Sequence, residues 1–286
     1  MIKAARAVMF LVIPGELLLF ILLVAGVRLP VPVLVAAEVA VVLALLLEVT
    51  TVVRLYRAER RRGTVRRAAL AETFATLVPV QVRRLLMIEL RGMAGLGIWL
   101  ARRRHGVPPG GVAVSYSREQ ATMTLIMLFA LVIETVALDV LLSALDVPTG
   151  LRIAVLVLDI YGILYGLMFA AACATRPHVI TPTELRIRYG VYFDLRIPRE
   201  LITSVRSSRN LNEKGMIGLA DGRLGVAVSS QTNITVELAE PITVTRPLGT
   251  QAEARVIRFF ADQPDTALRA LRPTAHEALN GHEALT

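Results

Sequence analysis

ATMTLIMLFALVIETVALDVLLSAL, residues 121–145, and LRIAVLVLDIYGILYGLMFAAAC, residues 151–173, decide the fold class of this chain. Each is an apolar run of about 20 residues or more, the length a helix needs to cross about 30 Å of hydrocarbon. Only Asp146–Gly150 separates them, so together they read as a membrane hairpin. Toward the N-terminus, Ala7–Val27 and Val33–Val53 repeat the pattern around the turn Arg28–Pro32. The first of these starts with Lys3 and Arg6, as a signal peptide does, but it is too long for one. It also lacks a small-residue cleavage site and runs at once into a second apolar segment. The expectation is four transmembrane helices in two hairpins, residues 1–53 and 121–175.

The formal net charge is +9, and the basic residues concentrate between the hairpins, in residues 54–120. Arg54, Arg57, Arg60, Arg61, Arg62, Arg66, Arg67, Arg83, Arg84, Arg91, Arg102, Arg103, Arg104 and Arg118 stand there against Glu59, Glu72, Glu89 and Glu119. The hairpin turns hold only Arg28 and, at the edge of the fourth helix, Arg152. Positive charge near helix ends stays in the cytoplasm. The expected localisation is therefore the cytoplasmic membrane, multi-pass, with both termini inside.

Basic clusters beside membrane helices meet anionic lipid headgroups more often than nucleic acid. The bilayer is thus an expected partner, and nucleic acid is not. Two helices are expected in this region, Thr64–Leu77 and Val80–Arg104, broken at Pro79. They lie either on the membrane surface or as a soluble hairpin against the C-terminal domain. Trp99 followed by Arg102, Arg103 and Arg104 suits a headgroup boundary. With Arg60, Arg61, Arg62, Arg66 and Arg67, these are the headgroup candidates. Gly106–Gly111 reads as a stiff turn back to the membrane. The single cysteine, Cys173, excludes an internal disulfide and reads as a small buried thiol.

Beyond Arg176 the apolar runs give way to period-two alternation. Strands are expected at Val179–Thr181, Glu184–Tyr189, Asp194–Ile197, Ile202–Ser207, Leu224–Ser229, Asn233–Leu238, Ile242–Thr245 and Ala254–Phe260. A helix follows at Pro264–Leu271, with Asp262 as its N-terminal cap. Short strands closed by one helix describe a small barrel or two packed sheets, here residues 176–273 with a tail at 274–286. The run Val179–Gly190 (VITPTELRIRYG) resembles the opening hairpin of bacterial pleckstrin-homology-like domains that follow directly on a membrane helix. Phe193, Arg196-Ile197-Pro198 and Leu201–Val205 resemble that family's next strand. Phe260–Asp265, leading into Ala267, Leu268 and Leu271, resembles its last strand and closing helix. The helical part resembles uncharacterised bacterial four-helix integral membrane proteins. The resemblance implies a mainly-β barrel that binds a ligand or protein partner and carries out no chemistry; fold alone does not set the function.

Glu16, Glu38, Glu48, Glu134, Asp139 and Asp159 fall inside the expected spans. An acid at a helix centre costs roughly 2.5–3.5 kcal/mol to insert. Small-residue stripes place Glu48, Glu134 and Asp159 toward the bundle, with Gly162 and Gly166 beside Asp159 as a G-x-x-x-G pair. Glu16, Glu48, Glu134, Asp139 and Asp159 are the candidates for a proton or cation path. The alternative is that they are packing groups paired with Arg28, Arg152, Thr51 or Tyr161. His105 is expected to cap the long middle helix, and His178 to sit at the entry to the first strand. No H-E-x-x-H, C-x-x-C, G-x-S-x-G or P-loop motif occurs, and no metal or cofactor site is expected. The leading expectation is a non-enzymatic, membrane-anchored binding or scaffold protein. The alternative is a small transporter, which needs a homo-oligomer because four helices are few for a carrier.

Overall fold

The computed structural model describes Gly15 and residues 30–63, 65–247 and 249–272. The expected first span Ala7–Val27, with Glu16, and the tail 274–286 lie outside the described residues, apart from Gly15. The chain forms two compact units, residues 1–86 with 133–161, and residues 87–132 with 162–286.

In the first unit, α1 (Val31–Arg61) starts on Pro30 and Pro32 and runs past the expected end at Val53 by two further turns. Proline at a first helical turn loses no hydrogen bond, because that N–H has no helical acceptor. Helix α2 (Arg66–Leu77) packs back on α1. Buried Thr51, Ala69 and Thr73 are all small. The Thr51 and Thr73 hydroxyls donate to carbonyls one turn back, Leu47 at 2.7 Å and Ala69 at 2.7 Å, so neither is left unpaired. Pro79 then breaks the chain, as expected, before α3 (Val80–Leu100). Helix α3 stops at Leu100 and does not reach Arg104. His105 therefore does not cap α3; its N–H donates instead to the Thr175 carbonyl at 2.8 Å.

Helices α4 (Arg118–Ala144) and α5 (Thr149–Thr175) are long and apolar enough to cross a membrane. On α4 most apolar side chains face outward, which suits a lipid surrounding and not water; on α5 Ile153, Val157, Leu158 and Ile160 do so, while Met168, Ala171, Ala172 and Cys173 are buried. Gly166 meets Leu128 so closely that a Cβ would sit 2.7 Å from Leu128 Cδ2, whereas Gly162 has open space beside it. Only one glycine of the G-x-x-x-G pair therefore serves this helix contact.

The second unit holds the mainly-β region. Strand β1 is Val112–Val114, inside the stretch expected to be only a turn and a return to the membrane. It pairs antiparallel with β2 (His178–Ile180), Ala113 opposite Val179. Strands β3 (Glu184–Tyr189) and β4 (Phe193–Pro198) complete a sheet ordered β1-β2-β3-β4. After a 3-10 turn at Arg199–Leu201 come β5 (Ile202–Asn210), β6 (Ile217–Ala220), β7 (Arg223–Val226), β8 (Thr232–Thr245) and β9 (Gln251–Phe259). They form a second sheet ordered β5-β8-β9-β7-β6, antiparallel except for the β7–β9 pair. The closing helix α6 spans Pro264–Leu271, as expected.

The two sheets do not close into a barrel, which corrects the barrel expectation. They sandwich one core of alternating inward residues, including Leu185, Ile187, Ile197, Leu224, Val236 and Ile257. Ala267 and Leu271 of α6 join this core. Asp262 is not the cap of α6. Its Oδ2 accepts from the Arg118 N–H at 3.2 Å and its own N–H donates to the Ser115 carbonyl at 2.8 Å, tying the end of the domain to the start of α4.

Candidate docking site

Because β1 and β2 are bonded neighbours, the α4–α5 hairpin is an insertion in one turn of the first sheet. Side chains lock that insertion point. Tyr116, two residues past β1, is fully buried and stacks on His178 with ring centroids 4.6 Å apart. Its hydroxyl accepts from the Gly190 N–H at 2.6 Å. Gly190 has φ +53, and a Cβ there would lie 3.3 Å from Cys173 Sγ, so the β3–β4 turn fits against α5 only as glycine. Cys173 is buried, as the sequence reading held.

His178 is a core residue of β2. Its Nδ1 accepts from the Arg188 N–H at 3.0 Å, which places its proton on Nε2, 3.0 Å from the Phe260 carbonyl. Burial, with the Arg188 charge nearby, pushes its pKa down to about 3. Two further bonds run from domain to hairpin: the Tyr189 hydroxyl donates to Gln120 Oε1 at 2.9 Å, and the Tyr192 and Tyr165 hydroxyls lie 3.0 Å apart. Within the second unit, the β region is thus bonded to the hairpin's base, residues 118–132 and 162–175.

The seat leaves one long strand edge open. Strand β5 ends the second sheet, so half of its backbone N–H and C=O groups have no sheet partner. Between this edge and α6 runs a groove of about 930 Å³, lined by Thr183, Ser204, Arg206, Ser207, Leu268 and Arg272 among others. Arg199 fixes its far wall by donating to the last carbonyls of α6, Ala270 at 2.8 Å and Leu271 at 2.9 Å. Arginine at a helix C-terminus both fills orphan carbonyls and opposes the dipole. The groove is open, mixed in polarity and floored by unpaired backbone. That is the geometry for adding an extended peptide as a sixth strand. Of its three arginines, Arg199 is held by the α6 carbonyls and Arg206 pairs with Glu237 at 3.1 Å, which leaves Arg272 beside the single acid, Glu200.

Among the described residues, the acids expected within the spans form no cluster. Asp139 accepts from Arg152 at 3.0 Å across the α4–α5 turn; the sequence reading named Arg152 among possible partners of the acids without assigning it to one. Glu134 is exposed on α4 and Asp159 half-buried on α5, so Glu134 does not turn inward as its small neighbours suggested. The Glu48 backbone belongs to α1, but its side chain, like all of Glu16, lies outside the described residues. Neither described cavity is lined by any of these acids, and the described residues hold no cluster fit for a metal ion.

Among the headgroup candidates, Arg60 and Arg61 end α1, Arg62 pairs with Glu59 at 2.7 Å, and Arg66 and Arg67 open α2. Trp99 and Arg102, Arg103 and Arg104 are exposed around the end of α3. Trp99 also lines an apolar pocket of about 250 Å³ with Thr124, Leu128, Phe169 and Cys173. No protein family, curated protein or solved structure matches the chain. Sequence reasoning missed the groove because its wall is Arg199 and its edge a polar run, Thr203–Ser208, that reads as surface.

Proposed function

We propose that this chain is a non-enzymatic docking protein of the cytoplasmic membrane. In this reading four transmembrane helices hold it, both termini and residues 54–120 are cytoplasmic, and the basic middle region rests on anionic headgroups. The β region is taken as a pleckstrin-homology-like domain, supported by its two packed sheets and closing helix. Its partner is an extended segment of another protein, added along β5. The observation that carries the proposal is the combination of an open strand edge with a domain whose first two strands bracket an apolar hairpin. Such a domain stays at a fixed orientation near the bilayer, which raises the effective concentration of any partner there.

The test is capture from gently solubilised membranes with the full chain and with Arg272→Glu and Ser207→Trp variants. A polypeptide enriched by the wild type and lost with both variants supports docking in the groove. Equal enrichment by all three removes the groove from the account. The transport alternative gains nothing from acids that are scattered and, at Asp139, already paired.

A further inference from the structure

Four arginines converge where the β domain meets the end of α5, and they lack carboxylates to match. Arg176 directly follows α5 and is 8% exposed, yet among the described residues its guanidinium meets only the Arg91 carbonyl, at 3.4 Å. Arg188 is 1% exposed. It donates to the His105 carbonyl at 2.9 Å and the Gly106 carbonyl at 3.3 Å, and its buried Nε has no partner. Gly106 has φ +67, and any side chain there would meet Arg188 Nη1 at 3.0 Å and Arg186 Nη1 at 3.5 Å. Arg186, Arg188 and Arg176 therefore surround the exposed His105–Gly106 turn, with Arg91 beside Arg176. The acids in range are Asp194, which Arg186 already grips with two hydrogen bonds, and Glu184, which faces Arg196.

A buried guanidinium without a counter-charge is costly. The cations also act on one another: the pKa values of Arg176 and Arg188 fall, through burial first and neighbouring arginines next, that of Arg188 to about 10. His105 is lowered by burial and by Arg176, Arg188 and Arg186 together. A strut of this kind persists more readily when an anion completes it. Two further features place that anion. The cluster begins one residue past an apolar helix, at headgroup depth in the membrane reading, and the exposed Arg102, Arg103 and Arg104 lie just upstream of His105 in the chain.

We propose that Arg91, Arg176, Arg186 and Arg188, with the His105–Gly106 turn, form a cage for a phosphate group, supplied by an anionic membrane lipid. Guanidinium forks suit phosphate oxygens, which accept bidentate pairs. The inference rests on α4 and α5 spanning the membrane, but not on the β5 groove.

The test uses the full chain, delipidated in zwitterionic detergent and moved to nanodiscs of phosphatidylcholine with or without phosphatidylglycerol. Membrane fractionation first checks the spanning reading separately. Phosphatidylglycerol should raise the wild-type melting temperature by about 5 °C. Arg176→Gln should remove most of that rise and, because it relieves repulsion, should melt no lower than wild type in phosphatidylcholine alone. Arg91→Gln is the second variant, on an exposed side chain, should Arg176→Gln fold poorly. Arg223→Gln, exposed on β7 and outside both the cage and the headgroup candidates, should keep the rise. Inorganic phosphate in detergent separates the sources: a rise with lipid alone assigns a headgroup, and a rise with both assigns any accessible phosphate. No rise with either, or a full rise in both Arg176→Gln and Arg91→Gln, overturns the proposal.

Discussion

Acidification from pH 7 to pH 5 should loosen the β domain, chiefly through His178, whose pKa is lowered to about 3, with a smaller share from His105, whose pKa is lowered too. Folded His178 is neutral, fixed between the Arg188 N–H and the Phe260 carbonyl. A proton on Nδ1 would oppose a hydrogen-bond donor beside a guanidinium. The unfolded chain has the ordinary histidine value of about 6.5. A folded value below the unfolded one means that stability is full above pH 6.5 and falls as the pH drops toward 3. Between pH 7 and pH 5 the unfolded state gains about three-quarters of a proton that the folded state refuses, worth about 2 kcal/mol. Pulse proteolysis in urea, with a C-terminal epitope, reads the domain's stability at each pH. His178→Gln should be less stable at pH 7 and lose most of the slope, and His105→Gln should keep most of it. A wild-type midpoint that does not move between pH 7 and pH 5, or the same slope in His178→Gln, would refute this reasoning.

Other perturbations test the seat and the hairpin. Tyr116→Phe leaves the buried Gly190 N–H without its acceptor and should cost about 1–3 kcal/mol in the same assay. If the loss is negligible, β1 is not part of the domain. Gly166→Leu should overpack the α4–α5 contact by about 1–3 kcal/mol, while Gly162→Leu stays within about 0.5 kcal/mol, as read by thermal melting in detergent. In a Cys173→Ala background, a cysteine at Thr149 should react with an impermeant thiol reagent from outside and one at Gly222 should not. The reverse pattern would move the β domain to the outer face.

Where the sequence is periodic, the fold was legible. Strand β3 and helix α6 fall on the expected residues, because Leu185 and Ile187 alternate cleanly and Pro264 marks a first helical turn. Strand β8 was expected as two pieces, broken at Glu240-Pro241. The structure carries it through with a register shift between Glu237 and Ile242, which is how a sheet tolerates a residue without an N–H. Strands β1 and β6 are three and four residues long, too short for period two to show. Joining β1 to β2 also needs a contact across the whole α4–α5 hairpin, which no local pattern encodes. The arginine cage was hidden for the same reason: Arg91, Arg176, Arg186 and Arg188 lie far apart in sequence, and each alone reads as a surface charge.

The central claim is that β5 takes a partner strand while the hairpin lies in the membrane. A photo-crosslinking amino acid at Ser204, on the open edge, tests it in intact cells against the same probe at Asp221, on the β6–β7 turn. The account predicts a discrete cross-linked product in the membrane fraction from Ser204, weakened by Arg272→Glu, and none from Asp221. Identical patterns from both positions, or no product from Ser204, would contradict it.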